Sequence, residues 1–145
     1  MRSIILTATL LFALSVSSFA SPKAIDTKLF NDLSNAFRKC SQVSWVSKAT
    51  YNQASFNFKN QQAMVFYSND NELIGFSIQI SRNNLPEVVA NALKEKYSNW
   101  AVTDAIMFID TYGYASYYVQ VATRDASQVL KISPNGRLHI YTKVR

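Results

Sequence analysis

The chain has 145 residues, of which 48% are hydrophobic and 13% aromatic, with only three glycines and three prolines. This composition can bury a core and excludes a disordered or low-complexity chain. The formal net charge is +6, but Lys and Arg are scattered singly rather than in runs. The charge therefore favours acidic partners and does not form the footprint of a nucleic-acid-binding protein.

The first twenty residues have the pattern of a secretory signal peptide. Met1 and Arg2 form a short positive region, residues 4–16 are apolar, and Ser18 and Ala20 place small side chains before a cleavage site. The apolar run is shorter than the ~20 residues of a membrane span, which favours a cleaved signal over a membrane anchor. We expect cleavage between Ala20 and Ser21, release into the periplasm or the medium, and one domain over residues 21–145.

The first predicted helix begins after Asp26, a good helix-capping residue, and runs to about Lys39. Its apolar positions recur at helical spacing and are expected to be buried: Leu29, Phe30, Leu33, Phe37 and Cys40. Strands are predicted over residues 43–48, 54–59, 64–68 and 72–80, and Trp45 is predicted to be a large anchor in the first of them. Residues 43–48 have the composition of a strand, and alternation of apolar and polar side chains over residues 54–59 and 72–80 indicates strands with one buried face.

The fourth strand and the helix after it carry the clearest pattern. Apolar residues occupy one face of the strand and small or polar residues the other: Ile74, Phe76, Ile78 and Ile80 against Leu73, Gly75, Ser77 and Gln79. Asn84 and Glu87 resemble a capping box, with Pro86 in the first turn. The helix predicted over residues 85–97 buries a stripe of Leu85, Val89, Leu93 and Tyr97.

The second half repeats this order of elements. Strands are predicted over residues 102–110, 115–123, 128–132 and 137–144, with a strong turn signal at residues 133–136. One helix and four strands are thus predicted twice, in pseudo-repeats of about residues 26–80 and 85–144. We expect an α+β fold, an antiparallel sheet with two helices packed on one face. The alternative is a cone-shaped α+β fold with one long helix behind a curved sheet.

Few residues could carry chemistry. His139 is the only histidine and Cys40 the only cysteine, so a catalytic triad would depend wholly on His139, and no intramolecular disulfide can form. Asp104 and Asp110 are about 20 Å apart if both lie on one strand, too far to share a metal ion. We therefore predict no metal, no cofactor and no enzymatic activity, and we interpret Cys40 as a buried thiol rather than a nucleophile or an intermolecular bridge.

The face of the sheet away from the helices is the candidate binding surface. It is predicted to be open to solvent and to combine small polar side chains, tyrosines and cations, as protein-recognition surfaces do. The predicted partner-binding residues on this face are Ser77, Gln79, Tyr118, Gln120, Arg137, His139, Tyr141 and Lys143.

Several short motifs resemble a known family. They are Val43 and Trp45, Ala54 and Phe56, the sequence ELIGFS at residues 72–77, and Leu85-Pro86 opening a helix that ends at Tyr97. In this order, behind a signal peptide, they resemble the PepSY-like family of β-lactamase-inhibitor-like proteins, small exported proteins of Bacteroidetes-type bacteria. The resemblance implies tandem helix-plus-sheet units, a concave sheet face and no catalysis. The inhibitor itself has disulfides, which the single Cys40 cannot reproduce.

Three functional hypotheses follow. The first is an exported binding protein that docks an exported or cell-envelope protein, or inhibits an enzyme, through the sheet face. The second is a periplasmic carrier that holds a small molecule or peptide between the sheet and the helices. The third is a hydrolase that uses His139.

Overall fold

The computed structural model describes residues 26–144, and the predicted signal peptide lies outside the described residues. Within this range the chain forms two α-helices, one 3₁₀ turn and eight strands. In chain order these are α1 (Thr27–Lys39), β1 (Ser44–Ser47), β2 (Tyr51–Phe58), β3 (Gln61–Ser68), β4 (Leu73–Gln79), the 3₁₀ turn (Arg82–Asn84), α2 (Glu87–Tyr97), β5 (Ala101–Asp110), β6 (Ala115–Ala122), β7 (Ser127–Ile132) and β8 (Leu138–Lys143).

The eight strands form one open antiparallel sheet in which they are hydrogen-bonded in chain order, β1 to β8. This architecture confirms the predicted α+β class and the predicted number of strands. It rules out the alternative with one long helix and fewer strands. Helix and four strands occur twice in the order of elements, and the internal repeat in sequence stays a prediction.

The described residues divide into two compact units. The N-terminal unit comprises residues 26–79 and 108–115, and the C-terminal unit comprises residues 80–107 and 116–144. In each unit the strands carry the helix of that unit on one face.

In the N-terminal unit, α1 is capped at its N-terminus and packs along one face. The Asp26 carboxylate accepts a hydrogen bond from the Leu29 backbone N–H at 2.9 Å, which satisfies one of the free donors at the helix start. Leu33 is fully buried. Phe30 contacts Phe76 edge-on at 5.3 Å between ring centroids, and Phe37 contacts Phe56 at 5.4 Å. The space between α1 and its strands is therefore filled by aromatic rings.

The opposite face of these strands is apolar as well. Register places Gln53 opposite Phe66, and Met64 opposite Ser77, on the side away from α1. All four are buried, and Phe66 contacts Tyr51 at 6.1 Å and Phe108 at 6.2 Å. The prediction of a wet polar face is thus wrong in this unit, because large side chains of β2, β3 and β5 surround the small polar ones of β4.

In the C-terminal unit, α2 packs its predicted stripe on the sheet. Val89 and Leu93 are buried in a core with Val119, Val121, Leu130 and Ile132, and Leu85 and Tyr97 pack against its edge. The predicted capping box is wrong. Asn84 ends the 3₁₀ turn, so Pro86 is the residue at the helix cap and no side chain caps α2. Pro86 lacks a backbone N–H, so it leaves no unpaired donor at this end of the helix.

Candidate functional site

The predicted binding residues are distributed over both units. Ser77 and Gln79 belong to the N-terminal unit and the other six to the C-terminal unit. Ser77 is only 2% exposed and Gln79 is half-buried. The expectation that Ser77 is open to solvent is therefore wrong, because it lies beside Met64 on a face filled by larger apolar side chains.

A cluster of aromatic and basic side chains forms on β6, β7 and β8, on the side away from α2. Register places Tyr118, Lys131 and His139 side by side across the three strands. The Tyr141 ring meets the Tyr118 ring edge-on at 5.4 Å, and the Lys131 Nζ lies 5.9 Å from the Tyr118 ring centroid. We call Tyr118, Gln120, Lys131, His139 and Tyr141 the β6–β8 patch.

Tyr118 is the buried base of this patch rather than an exposed anchor. It is 0% exposed, and its hydroxyl has no hydrogen-bond partner among the described residues. Burial, and to a smaller extent the neighbouring Tyr141, raises the pKa of the Tyr118 phenol. The prediction that Tyr118 stands in water is therefore wrong, since Lys131 and Tyr141 pack against its ring.

The pKa values of the two basic members of the patch are both lowered. Burial lowers the pKa of Lys131 from its ordinary value. Burial also lowers the pKa of His139, and the positive charge of Lys131 lowers it further. His139 is nevertheless exposed, as is Arg137, which immediately precedes β8. The surface of the patch is thus basic, with an aromatic floor.

A register shift on β8 changes which predicted residues share this face. Between Val129 and Leu130 of β7 the pairing slips by one residue, so Val129 pairs with Thr142 and Gln128 with Lys143. The Gln128 amide accepts a hydrogen bond from the Tyr97 hydroxyl of α2. Lys143 therefore lies on the α2 side of the sheet, and its predicted place beside Tyr141 is wrong.

The remaining predicted residue, Gln120, is half-buried and well anchored. Its Nε2 donates a hydrogen bond to the Ser127 hydroxyl at 2.9 Å, and it pairs with Val129 across the strands. This bond fixes the amide at the edge of the patch.

Lys131 is the patch residue that the sequence analysis missed. In the segment QVLKIS it alternates with the apolar Leu130 and Ile132, so strand periodicity alone puts it on the face away from the core. The alternation of β7 is therefore the sequence signal that places Lys131 on this face.

Cys40 lies at the C-terminal end of α1 and is half-buried, with its thiol donating to the Gln42 carbonyl at 3.2 Å. It is therefore less buried than predicted, because the helix ends at Lys39 and Cys40 already has an extended backbone. Within residues 26–144 no three or more His, Cys, Asp or Glu side chains are grouped so as to hold a metal ion. Of the helices in this range, neither has the length and apolar character of a membrane span.

Comparison with known proteins shows what the fold is similar to. No protein-family model and no curated protein matches the chain. Solved structures do match. A BLIP-like protein from Bacteroides fragilis is 20% identical, with a TM-score of 0.66 over 86% of this chain and 89% of that one. A DUF2874 family protein from Bacteroides ovatus is 17% identical, with a TM-score of 0.65 over 82% and 89%.

A third match is a protein from Bacteroides eggerthii that is proposed to be periplasmic; it is 16% identical, with a TM-score of 0.65 over 83% of this chain and 91% of that one. At these identities the likeness concerns the fold. It supports the resemblance to β-lactamase-inhibitor-like proteins at that level. None of these three is described as PepSY-like, and that part of the resemblance stays a prediction.

Proposed function

We propose that the chain is an exported, non-enzymatic binding protein that recognises an acidic surface of another exported or cell-envelope protein through the β6–β8 patch. The observation that carries the proposal is the geometry of this patch. The Tyr118 and Tyr141 rings are held against each other. Lys131 of the patch and the exposed Arg137 beside it form what we call the basic rim. Rigid aromatics next to cations are the residues that anchor protein interfaces.

Three further observations support it. The fold is shared with a BLIP-like protein and with a protein proposed to be periplasmic. The sequence begins with the pattern of a signal peptide. The patch itself contains no carboxylate, and the chain has a net charge of +6, which fits an acidic partner.

A carrier with its ligand between helix and sheet receives less support. In the N-terminal unit that space holds Phe30, Leu33, Phe37, Phe56 and Phe76. In the C-terminal unit it holds the core around Val89 and Leu93. A hydrolase that uses His139 also receives less support, because the side chains placed around His139 are a lysine and tyrosines.

The test measures binding to two sources of partner, a purified β-lactamase and an extract of cell-envelope proteins. We expect Tyr141→Ala to weaken binding by at least about tenfold, since it removes an anchor. Arg137→Glu should slow association because it reverses a rim charge. Matched controls are Tyr112→Ala and Lys94→Glu, which change an exposed tyrosine and an exposed lysine outside the patch.

Equal binding by Tyr141→Ala, Arg137→Glu and the controls would contradict the patch as the site. Loss of β-lactamase turnover in a hydrolysis assay would identify the inhibitory form of the proposal. Binding without inhibition would identify the simpler docking form.

A further inference from the structure

A groove in the N-terminal unit is lined by side chains that play no part in the proposed docking. Its volume is about 400 Å³, and its lining residues are Trp45, Ser47, Asn52, Tyr67 and Asn71. Register explains why three of them meet, since Ser47 pairs with Asn52 and Asn52 pairs with Tyr67 across β1, β2 and β3. The volume falls within the range of small-molecule sites.

Two aromatic rings form one wall of the groove. Trp45 lies on β1 and is 56% exposed, in contrast to the anchor predicted from the sequence. Its ring contacts Phe37 edge-on at 6.2 Å and lies 6.0 Å from the Tyr67 ring at an angle of 39°. A held indole that leaves much of its surface in water gains from a ligand that covers it.

The other wall is built by an irregular hairpin. The register between β3 and β4 shifts after Phe66, so that Tyr67 pairs with Leu73, and bulges of this kind re-aim side chains. The Ser68 hydroxyl accepts hydrogen bonds from the N–H groups of Asp70 and Glu72, both at 3.2 Å. Asn71, which lies between Asp70 and Glu72, has a left-handed backbone conformation with φ of 66°. The groove is therefore shaped before any ligand arrives.

The chemistry of the lining defines the ligand. Among the described residues the lining carries no formal charge and offers two amides, one serine hydroxyl and one phenol. It therefore suits a neutral ligand. A pyranose ring presents apolar C–H groups to an aromatic face, and its neighbouring hydroxyls both donate and accept, as amides do.

A proline-rich peptide is the competing neutral ligand, because such peptides also dock in aromatic grooves. Its backbone offers mainly carbonyl acceptors, since proline has no N–H. It would leave the amide oxygens of Asn52 and Asn71 without donors. Sugar hydroxyls can donate to the carbonyl oxygen and accept from the NH₂ group of each amide, and we therefore prefer a sugar to a proline-rich peptide.

We propose that this groove binds a neutral carbohydrate, with a pyranose ring against Trp45 and Tyr67 and its hydroxyls on Asn52 and Asn71. The site shares no residue with the β6–β8 patch. A protein partner and a sugar would therefore be recognised independently, and failure of one proposal leaves the other standing.

The test uses the fluorescence of Trp45. The chain has two tryptophans, and Trp100→Phe leaves Trp45 as the only indole reporter. The purified Trp100→Phe protein is titrated with glucose, mannose, galactose and N-acetylglucosamine and their short oligomers, and in parallel with a proline-rich peptide. We expect a saturable change in Trp45 emission with at least one sugar. Calorimetry on the wild-type protein should then detect binding of the same sugar.

Variants locate the site. In calorimetry on the otherwise wild-type chain, Trp45→Ala and Tyr67→Ala should each weaken sugar binding by about tenfold or more. Asn52→Ala should also weaken it. Val46→Ala is the matched control, because Val46 adjoins Trp45 on β1 but does not line the groove. Circular dichroism verifies that each variant is folded, and Asn52→Ala serves if an aromatic variant is not.

Three outcomes would overturn the proposal. One is saturable binding of the peptide with no response to any sugar. Another is the absence of saturable binding by every sugar up to its solubility limit. The third is sugar binding that the Trp45, Tyr67 and Asn52 variants leave unchanged.

Discussion

His139 gives the patch a pH-dependent charge that can be measured directly, since it is the only histidine of the chain. We expect its pKa to lie below the ordinary 6.5, because partial burial disfavours the imidazolium ion and Lys131 repels it. An NMR titration of the imidazole should show this. Lys131→Met should raise the pKa towards 6.5, and the exposed Arg124→Met should not change it.

The sign of the linked stability follows. The folded-state pKa of His139 is lowered, so between that value and 6.5 the unfolded chain binds more protons than the folded one. The contribution of His139 to the free energy of unfolding is therefore complete above about pH 6.5 and is lost as the pH falls towards the folded-state value. Unfolding of wild type and His139→Gln in urea at several pH values checks this. Parallel curves for the two proteins would contradict it.

At the scale of the strand, Gly75 allows β4 to lie close to the end of β5. A Cβ atom there would meet the Ile109 carbonyl oxygen and the Phe108 ring, each at 2.5 Å. We expect Gly75→Ala to lower the free energy of unfolding by about 2–3 kcal/mol, because a backbone atom must move to admit the methyl group. Chemical denaturation measures this loss. Ser116→Ala, at a half-buried strand position without such a contact, is the control, and a Gly75→Ala protein as stable as that control would refute the close approach.

The elements themselves were largely predictable. Alternation, strand composition and turn signals together predicted all eight strands, and helical spacing predicted α1 and the stripe of α2, because the periodic patterns follow from burial of one face. The face away from the helices could not be predicted in the same way. Gln53 and Ser77 look polar in the sequence, but they are buried because Phe66 and Met64 lie next to them across the strands. Which side chains become neighbours depends on register, and register depends on partners that are distant in sequence.

The candidate site shows the same limit. Tyr118, His139 and Tyr141 were predicted together correctly, since simple alternation places them on one face and the structure brings them together. Lys143 was misplaced because a register shift interrupts β8. The groove at Trp45 was not predicted at all, because Tyr67 reaches it only through the irregular pairing after Phe66. No local sequence signal predicts the register shift after Phe66 or the one in β8.

At the scale of the molecule, β1 is an edge strand that could pair with a second copy of the chain. In the strand order of the described residues it is the first strand, and its sequence SWVS has no charge, with Trp45 and Val46 both exposed. Unprotected edges of this kind associate. We expect self-association that strengthens with salt, because salt screens the repulsion between copies of net charge +6.

Sedimentation at increasing protein concentration measures this association. Val46→Lys should abolish it by placing a charge on the edge, whereas Val88→Lys, which changes an exposed valine of α2, should not. A protein that stays monomeric at high salt and high concentration would show that the edge is protected.

The register shift in β8 also bears on how the β6–β8 patch could differ between related chains. Because Tyr141 is the extra residue opposite Val129, its deletion would leave Thr142 opposite Val129 and Lys143 opposite Gln128, and would remove one aromatic ring from the patch. A single-codon loss would thus uncover the Tyr118 ring on one surface and leave the α2 side as it is, with no substitution anywhere in the chain. Related chains could change the polarity of this surface by length alone.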